Sequence, residues 1–127
     1  MRRTGPEKRF WKRVRLEWRG HACRVEASLG GCDPGTPDTS LGWAGKNMWV
    51  ELKVWPDPLS AEQIVWHTDC TQRGGGARVL CELPNGNVWL TGYSIYMNAV
   101  RASSRPTGNS LQGVLKFLMQ VLEAKSR

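Results

Sequence analysis

The sequence predicts a mixed α/β fold, one sheet flanked by helices, and three observations predict it. Apolar residues recur at helical spacing near both ends of the chain, they alternate at strand spacing in its middle, and turn-forming residues separate the segments. At 127 residues, 40% of them hydrophobic and seven of them Trp, the chain can bury a real core. A single domain over residues 1–127 is expected.

Phe10, Val14 and Trp18 stand at four-residue steps with basic residues between them, so residues 6–19 read as an amphipathic helix that Gly20 ends. Residues 21–27 read as extended, and the Gly- and Pro-rich stretch 30–35 as a loop. Residues 39–43 suit a short strand, 44–47 a turn, and 48–54 a central strand. After Pro56, Asp57 and Pro58, Ser60 reads as a helix N-cap with Gln63 completing a capping box. That helix should run to about Arg73 and stop in Gly74-Gly75-Gly76. Residues 77–83 and 88–91 read as strands joined through an Asn85-Gly86 hairpin. A helix over 93–102, a polar linker over 103–109 and a strongly periodic helix over 110–125 complete the chain.

The formal charge is +7 and the sequence pI about 9.7. Much of the excess lies in Arg2, Arg3, Lys8, Arg9, Lys12, Arg13, Arg15 and Arg19. Such a balance suits a polyanion, nucleic acid being the commonest. A membrane surface is the rival, but no apolar run approaches the roughly 18 residues of a spanning helix. The basic start is followed by more charge rather than an apolar run, so no signal peptide is expected, and the chain is assigned to the cytosol of a bacterium or a phage-infected host. Cys23, Cys32, Cys70 and Cys81 should stay reduced there, and with His21 and His67 they show no zinc-ligand spacing.

The chemistry is concentrated in Gly35-Thr36-Pro37-Asp38 and Trp49-Val50-Glu51-Leu52-Lys53. Glu51 and Lys53, two apart on a strand, leave one face, while Met48, Val50, Leu52 and Val54 leave the other. The pattern predicts a half-buried strand showing a carboxylate and an ammonium on its open side. Asp38 arrives from a turn that Gly35 and Pro37 can shape. Asp38 and Glu51 can hold Mg²⁺ or Mn²⁺, joined by the Leu52 carbonyl at the strand edge. Lys53 beside them can position the attacking water or stabilise charge on a phosphoryl group. The set points to a phosphodiesterase acting on nucleic acid.

Pro37-Asp38 followed by Glu51-Leu52-Lys53 resembles the PD-(D/E)xK nuclease superfamily. Within it the chain is similar to small phage and bacterial VRR-NUC-type and Holliday-junction-resolvase-like nucleases. In those, Gly-x-Pro-Asp precedes a strand ending in Glu-Leu-Lys and then Leu-Ser-x-x-Gln-x-x-Trp, which stands here as Leu59-Ser60-Ala61-Glu62-Gln63-Ile64-Val65-Trp66. The resemblance covers about residues 8–92 and leaves the helical segment of about 93–127 without a matching motif. It implies a restriction-endonuclease-like core and Mg²⁺- or Mn²⁺-dependent cleavage of DNA leaving a 5′-phosphate. It also implies a homodimer that acts on junction or flap DNA in recombination, repair or phage DNA processing. Gln63 would point at the metal site from the helix after the catalytic strand. Glu26 matches the family's upstream acidic residue, with Asp33 as a competing position. Lys8, Arg9, Lys12, Arg13 and Arg15 would then track phosphates.

Each residue also has a plainer reading. Asp38 alone suits an ordinary turn, Glu51 and Lys53 a solvated strand face, and Gln63 a capping box. His67, one turn after Gln63, could face the site, but reads more simply as a surface or partly buried polar residue, and Trp49 and Trp55 read as packing rather than base-stacking groups. A catalytically inactive nucleic-acid-binding module with a nuclease fold is the alternative to an enzyme.

Overall fold

The structure, a computed structural model, describes residues 5–24 and 35–125. Its elements are α1 (Gly5–Glu17), β1 (His21–Arg24), β2 (Thr39–Trp43), β3 (Lys46–Val54), α2 (Ala61–Gln72), β4 (Ala77–Glu82), β5 (Val88–Thr91), α3 (Tyr93–Arg101) and α4 (Leu111–Lys125). Glu26, Cys32 and Asp33 lie outside the described residues.

The five strands form one sheet in the order β1-β2-β3-β4-β5. Neighbours pair antiparallel except β3 and β4, which are parallel. Local turn chemistry explains the antiparallel joints. Ala44 and Gly45 both take positive φ (54° and 76°) between β2 and β3, the twist that suits a two-residue hairpin. At the β4–β5 corner, Gly86 N–H donates to the Leu83 carbonyl and Leu83 N–H to that of Asn87, both at 2.9 Å. The parallel pair needs a crossover, and α2 supplies it.

Helices cover both faces of the sheet, giving three layers. On one face Phe10, Val14 and Trp18 of the first helical segment meet Leu41, Val50, Leu52 and Leu80, with Leu115, Leu118 and Leu122 of α4. On the other, Val79 and Cys81 of β4 pack with Leu59, Leu83, Tyr96 and Met97, and with Ile64 of α2. The final helix thus completes the main core instead of lying beyond it. Cys23, Cys70 and Cys81 are free thiols, and burial pushes the Cys81 thiol up to about 12, so it is protonated at neutral pH. No helix is long and apolar enough to cross a membrane among the described residues.

Candidate active site

β3 is buried on both faces, which corrects the expectation of an open side. Alternation places Val50 and Leu52 toward α1 and α4, and Glu51 and Lys53 toward α2 and α3. Register sets Glu51 beside Val79 and Lys53 beside Cys81. Glu51 is only 3% exposed and Lys53 6%. The alternation held, but α2 and α3 cover the polar face as α1 and α4 cover the apolar one. Burial pushes the Glu51 carboxyl above the ordinary carboxylate range and the Asp38 carboxylate adds to this, while His67 and Lys53 oppose it. Trp49 and Trp55, on this same face, are packing groups, set edge-on to Trp66 and Tyr96 at 6.5 and 6.2 Å.

The β2–β3 ladder brings Asp38 to Glu51. Its last rung pairs Thr39 with Val50, so one step further along both strands sets Asp38 opposite Glu51. Residues 51–54 continue past β2 with β4 as their ladder partner, which leaves the Asp38 side of Leu52 outside the β2 ladder. Gly35 explains how the turn before Asp38 fits. It takes φ +86°, and a Cβ there would stand 2.1 Å from the Glu62 carbonyl oxygen in the first turn of α2. Only glycine lets the Asp38 segment lie this close to α2.

Two charged residues that the sequence reading did not assign to the site join it at the sheet's rim. Arg24, at the end of β1, donates to Asp38 Oδ2 at 2.7 Å and stands 3.9 Å from Glu7 Oε2. Its guanidinium also lies over the Trp11 ring, 5.6 Å from the centroid. Among the described residues, Arg24 Nε and Nη1 are buried without a hydrogen-bond partner. Glu7 comes from the first turn of α1. Burial raises its pKa, Asp38 and Asp57 add to that, and Lys53 and Arg24 oppose it, which places all five charges in one electrostatic neighbourhood. An acid in a helix's first turn reads in sequence as a dipole partner, so nothing local marked Glu7.

Lys53 Nζ stands 3.6 Å from Asp57 Oδ2. The turn carrying Asp57 is fixed by Asp57 N–H on the Val54 carbonyl (2.9 Å) and the Tyr96 hydroxyl on the Asp57 carbonyl (2.6 Å). Gln63 sits in the capping box the sequence predicts: Ser60 N–H donates to Gln63 Oε1 at 2.8 Å, and Gln63 N–H to Ser60 Oγ at 3.2 Å. Its side-chain carbonyl is therefore engaged in starting α2. His67, expected as a surface or partly buried polar residue, is instead 1% exposed and faces Glu51, with 3.8 Å to its Oε1.

Along α1, Lys8, Arg9, Lys12 and Arg15 are exposed. Arg13 is engaged elsewhere, with one nitrogen on Glu82 and another donating to the Gly86 carbonyl at 3.1 Å, and so ties α1 to the β4–β5 hairpin. Glu26 lies outside the described residues.

Among the described residues, no three His, Cys, Asp or Glu side chains are gathered tightly enough to hold a metal ion by themselves. Magnesium asks for less, since one or two carboxylates, retained waters and a substrate phosphate satisfy it. Glu51 Oε1 is buried with no hydrogen-bond partner, and Asp38 faces it across the ladder. A hard divalent cation fits that pair, because it would offset the repulsion by which the Asp38 carboxylate helps raise the Glu51 carboxyl.

No protein-family model and no curated protein matches the sequence. Among solved structures, the chain is similar to Hjc, a Holliday junction resolvase from the archaeal hyperthermophile Archaeoglobus fulgidus. The TM-score is 0.55 at 19% identity, over 90% of this chain and 98% of that one. The likeness is one of architecture, and it gives this chain the restriction-endonuclease-like fold: a mixed five-stranded sheet with flanking helices.

Proposed function

We propose that the protein is a Mg²⁺- or Mn²⁺-dependent endodeoxyribonuclease of the PD-(D/E)xK type, acting on branched DNA such as junctions or flaps. One observation carries the reading. Asp38, from a separate segment of the chain, comes opposite Glu51 at the end of one ladder, and Glu51 and Lys53 share a strand face where they are buried and a purely structural strand would place apolar residues. The Hjc-like fold supports it, since that protein is a Holliday junction resolvase.

The roles follow from the chemistry of each group. Asp38 and Glu51 would hold the cation, with the Leu52 carbonyl as a further oxygen. When bound, such a cation lowers the pKa of water and offsets charge on the phosphoryl oxygens. Lys53, on the same strand face as Glu51 and acting on its carboxyl, would orient the attacking water or stabilise the developing charge. Arg24 would hold Asp38 in place and add a fixed positive charge at the rim. Glu7 adds a third carboxylate at the rim, and Gln63 would assist only through the amide nitrogen its capping role leaves over. Lys8, Arg9, Lys12 and Arg15 would track the DNA backbone, and a homodimer would present two such sites to two strands.

One observation favours the rival, an inactive DNA-binding module: Asp38 is already paired with Arg24. Side-by-side incubation of four-way junction, flap and plain duplex DNA with Mg²⁺ and with Mn²⁺ separates the two. The nuclease reading expects cleavage of branched substrates by the wild type, and DNA binding without cleavage by Lys53→Ala. Binding without cleavage by the wild type, on every substrate and with both metals, would establish the module instead.

A further inference from the structure

His67 is a buried polar group that the proposed chemistry leaves unexplained. It is 1% exposed, and neither Nδ1 nor Nε2 has a hydrogen-bond partner among the described residues. Buried imidazoles normally bond through at least one nitrogen, so an orphaned pair calls for a cause. α2 puts His67 there. The capping box at Ser60 and Gln63 fixes where the helix starts, and His67 follows Gln63 by four residues on the same helical side. Its ring stands 5.5 Å from that of Trp66 and 5.9 Å from that of Tyr93, which wall it in with aromatic carbon.

The Glu51 carboxylate lies near this ring. His67 Nε2 is 3.8 Å from Glu51 Oε1, and that oxygen is also buried and also without a partner. Two unsatisfied groups thus face each other across a gap slightly wider than a hydrogen bond. Leaving either one unpaired costs stability, and a Phe in the same slot would carry no such penalty. Filling the space between β3 and α2 does not require an imidazole.

The geometry points to His67 as a positioning residue for the metal site: its Nε2–H holds Glu51 Oε1 and leaves the other carboxylate oxygen for the cation. The inference rests on the nuclease reading and adds a residue outside the Pro-Asp, Glu-x-Lys and Gln motifs. Outer groups of this kind orient a metal-binding carboxylate, and their loss typically costs about 10–100-fold in metal affinity.

Calorimetric titration of Mn²⁺ into the intact protein without DNA tests it, using wild type, His67→Phe and His67→Gln. Phe keeps a ring and removes the donor, whereas Gln places an amide N–H near the position of Nε2. The expected result is Mn²⁺ binding weakened about 10–100-fold in His67→Phe, with an unchanged circular dichroism spectrum, and largely restored in His67→Gln. If His67→Phe does not fold, His67→Met provides the same donor-free comparison. Wild-type affinity in the donor-free variant overturns the role of His67 and leaves the nuclease reading standing. Equal loss in the Gln and donor-free variants also overturns it, because shape rather than the donor would then matter. Absence of Mn²⁺ binding by the wild type overturns the role of His67, because the free protein would then have no metal site for it to organise, and leaves the nuclease reading to the cleavage assay.

Discussion

The two faces of β3 are buried to nearly the same depth and carry opposite chemistry. Val50 and Leu52 are 0% and 1% exposed, and Glu51 and Lys53 are 3% and 6% exposed. On the first face, apolar side chains from α1, β4 and α4 complete the packing, so burial contributes to stability directly. On the second, a carboxylate and an ammonium are taken out of water and only partly compensated, Lys53 by Asp57 and Glu51 by an imidazole at 3.8 Å. One face of the strand holds the domain together, and the other gives up stability at the proposed site. Departures from core chemistry inside an otherwise consistent fold are where function is to be sought.

The sharpest contrast between the faces is in activity. Asp38→Asn, which removes the charge opposite Glu51, should lower the rate of metal-dependent cleavage on the order of 10³-fold in single-turnover assays, comparable to losing one main electrostatic group of a site. Leu52→Ala should leave the chemistry of properly folded molecules intact and instead cost about 2–5 kcal/mol in urea denaturation, as deletion of a buried leucine does. An activity loss confined to Leu52→Ala would break the division of labour between the faces.

Proton linkage distinguishes the faces next. Burial, above all, raises the pKa of both Glu51 and Glu7 from the ordinary 4.5. A raised carboxyl binds its proton more tightly in the folded state. Its stabilising contribution is therefore complete below the unfolded value and is lost as pH rises through the folded one. The melting temperature of the metal-free protein should accordingly rise, from this source, as pH is lowered from about 8 to about 5. Glu51→Gln should flatten that dependence, and Mn²⁺ should stabilise the wild type more at the higher pH, where the carboxylates are ionised. A dependence unaltered by Glu51→Gln would show that Glu51 is not held as described.

The smallest effect concerns α1, where neighbouring basic residues have different tasks. Lys12 is exposed, while Arg13 is bound to Glu82 and the Gly86 carbonyl. Lys12→Ala should reduce the salt dependence of DNA binding by about one unit of slope, the share of a single phosphate contact. Arg13→Ala should leave the slope unchanged and cost at most about 1 kcal/mol of stability, since the pair is partly solvated.

Much of this architecture is legible in the residues because local signals agree with one another. The Ala44-Gly45 and Asn85-Gly86 turns, the Ser60/Gln63 capping box and the periodicities of α1 and α4 each specify their element without reference to the rest. The alternation along β3 likewise separates Glu51 and Lys53 from Val50 and Leu52. Alternation identifies two faces but not what covers them, and so the polar face reads as solvated although α2 and α3 bury it. His67 is misread for the same reason, because its depth depends on Tyr93 and on how α2 lies against the sheet. Glu7 and Arg24 enter the site only when α1 and β1 meet at the rim, a contact with no counterpart in local spacing. Glu26 lies outside the described residues, and its assignment rests on the family resemblance.

The most direct test is Glu51→Gln, assayed in parallel for stability and for cleavage of a four-way junction in Mg²⁺. If Glu51 is a buried ligand rather than a structural residue, the variant should fold at least as stably as the wild type without metal, bind the junction, and cleave it at least about 10³-fold more slowly. Cleavage at the wild-type rate by Glu51→Gln would contradict the assignment of the site.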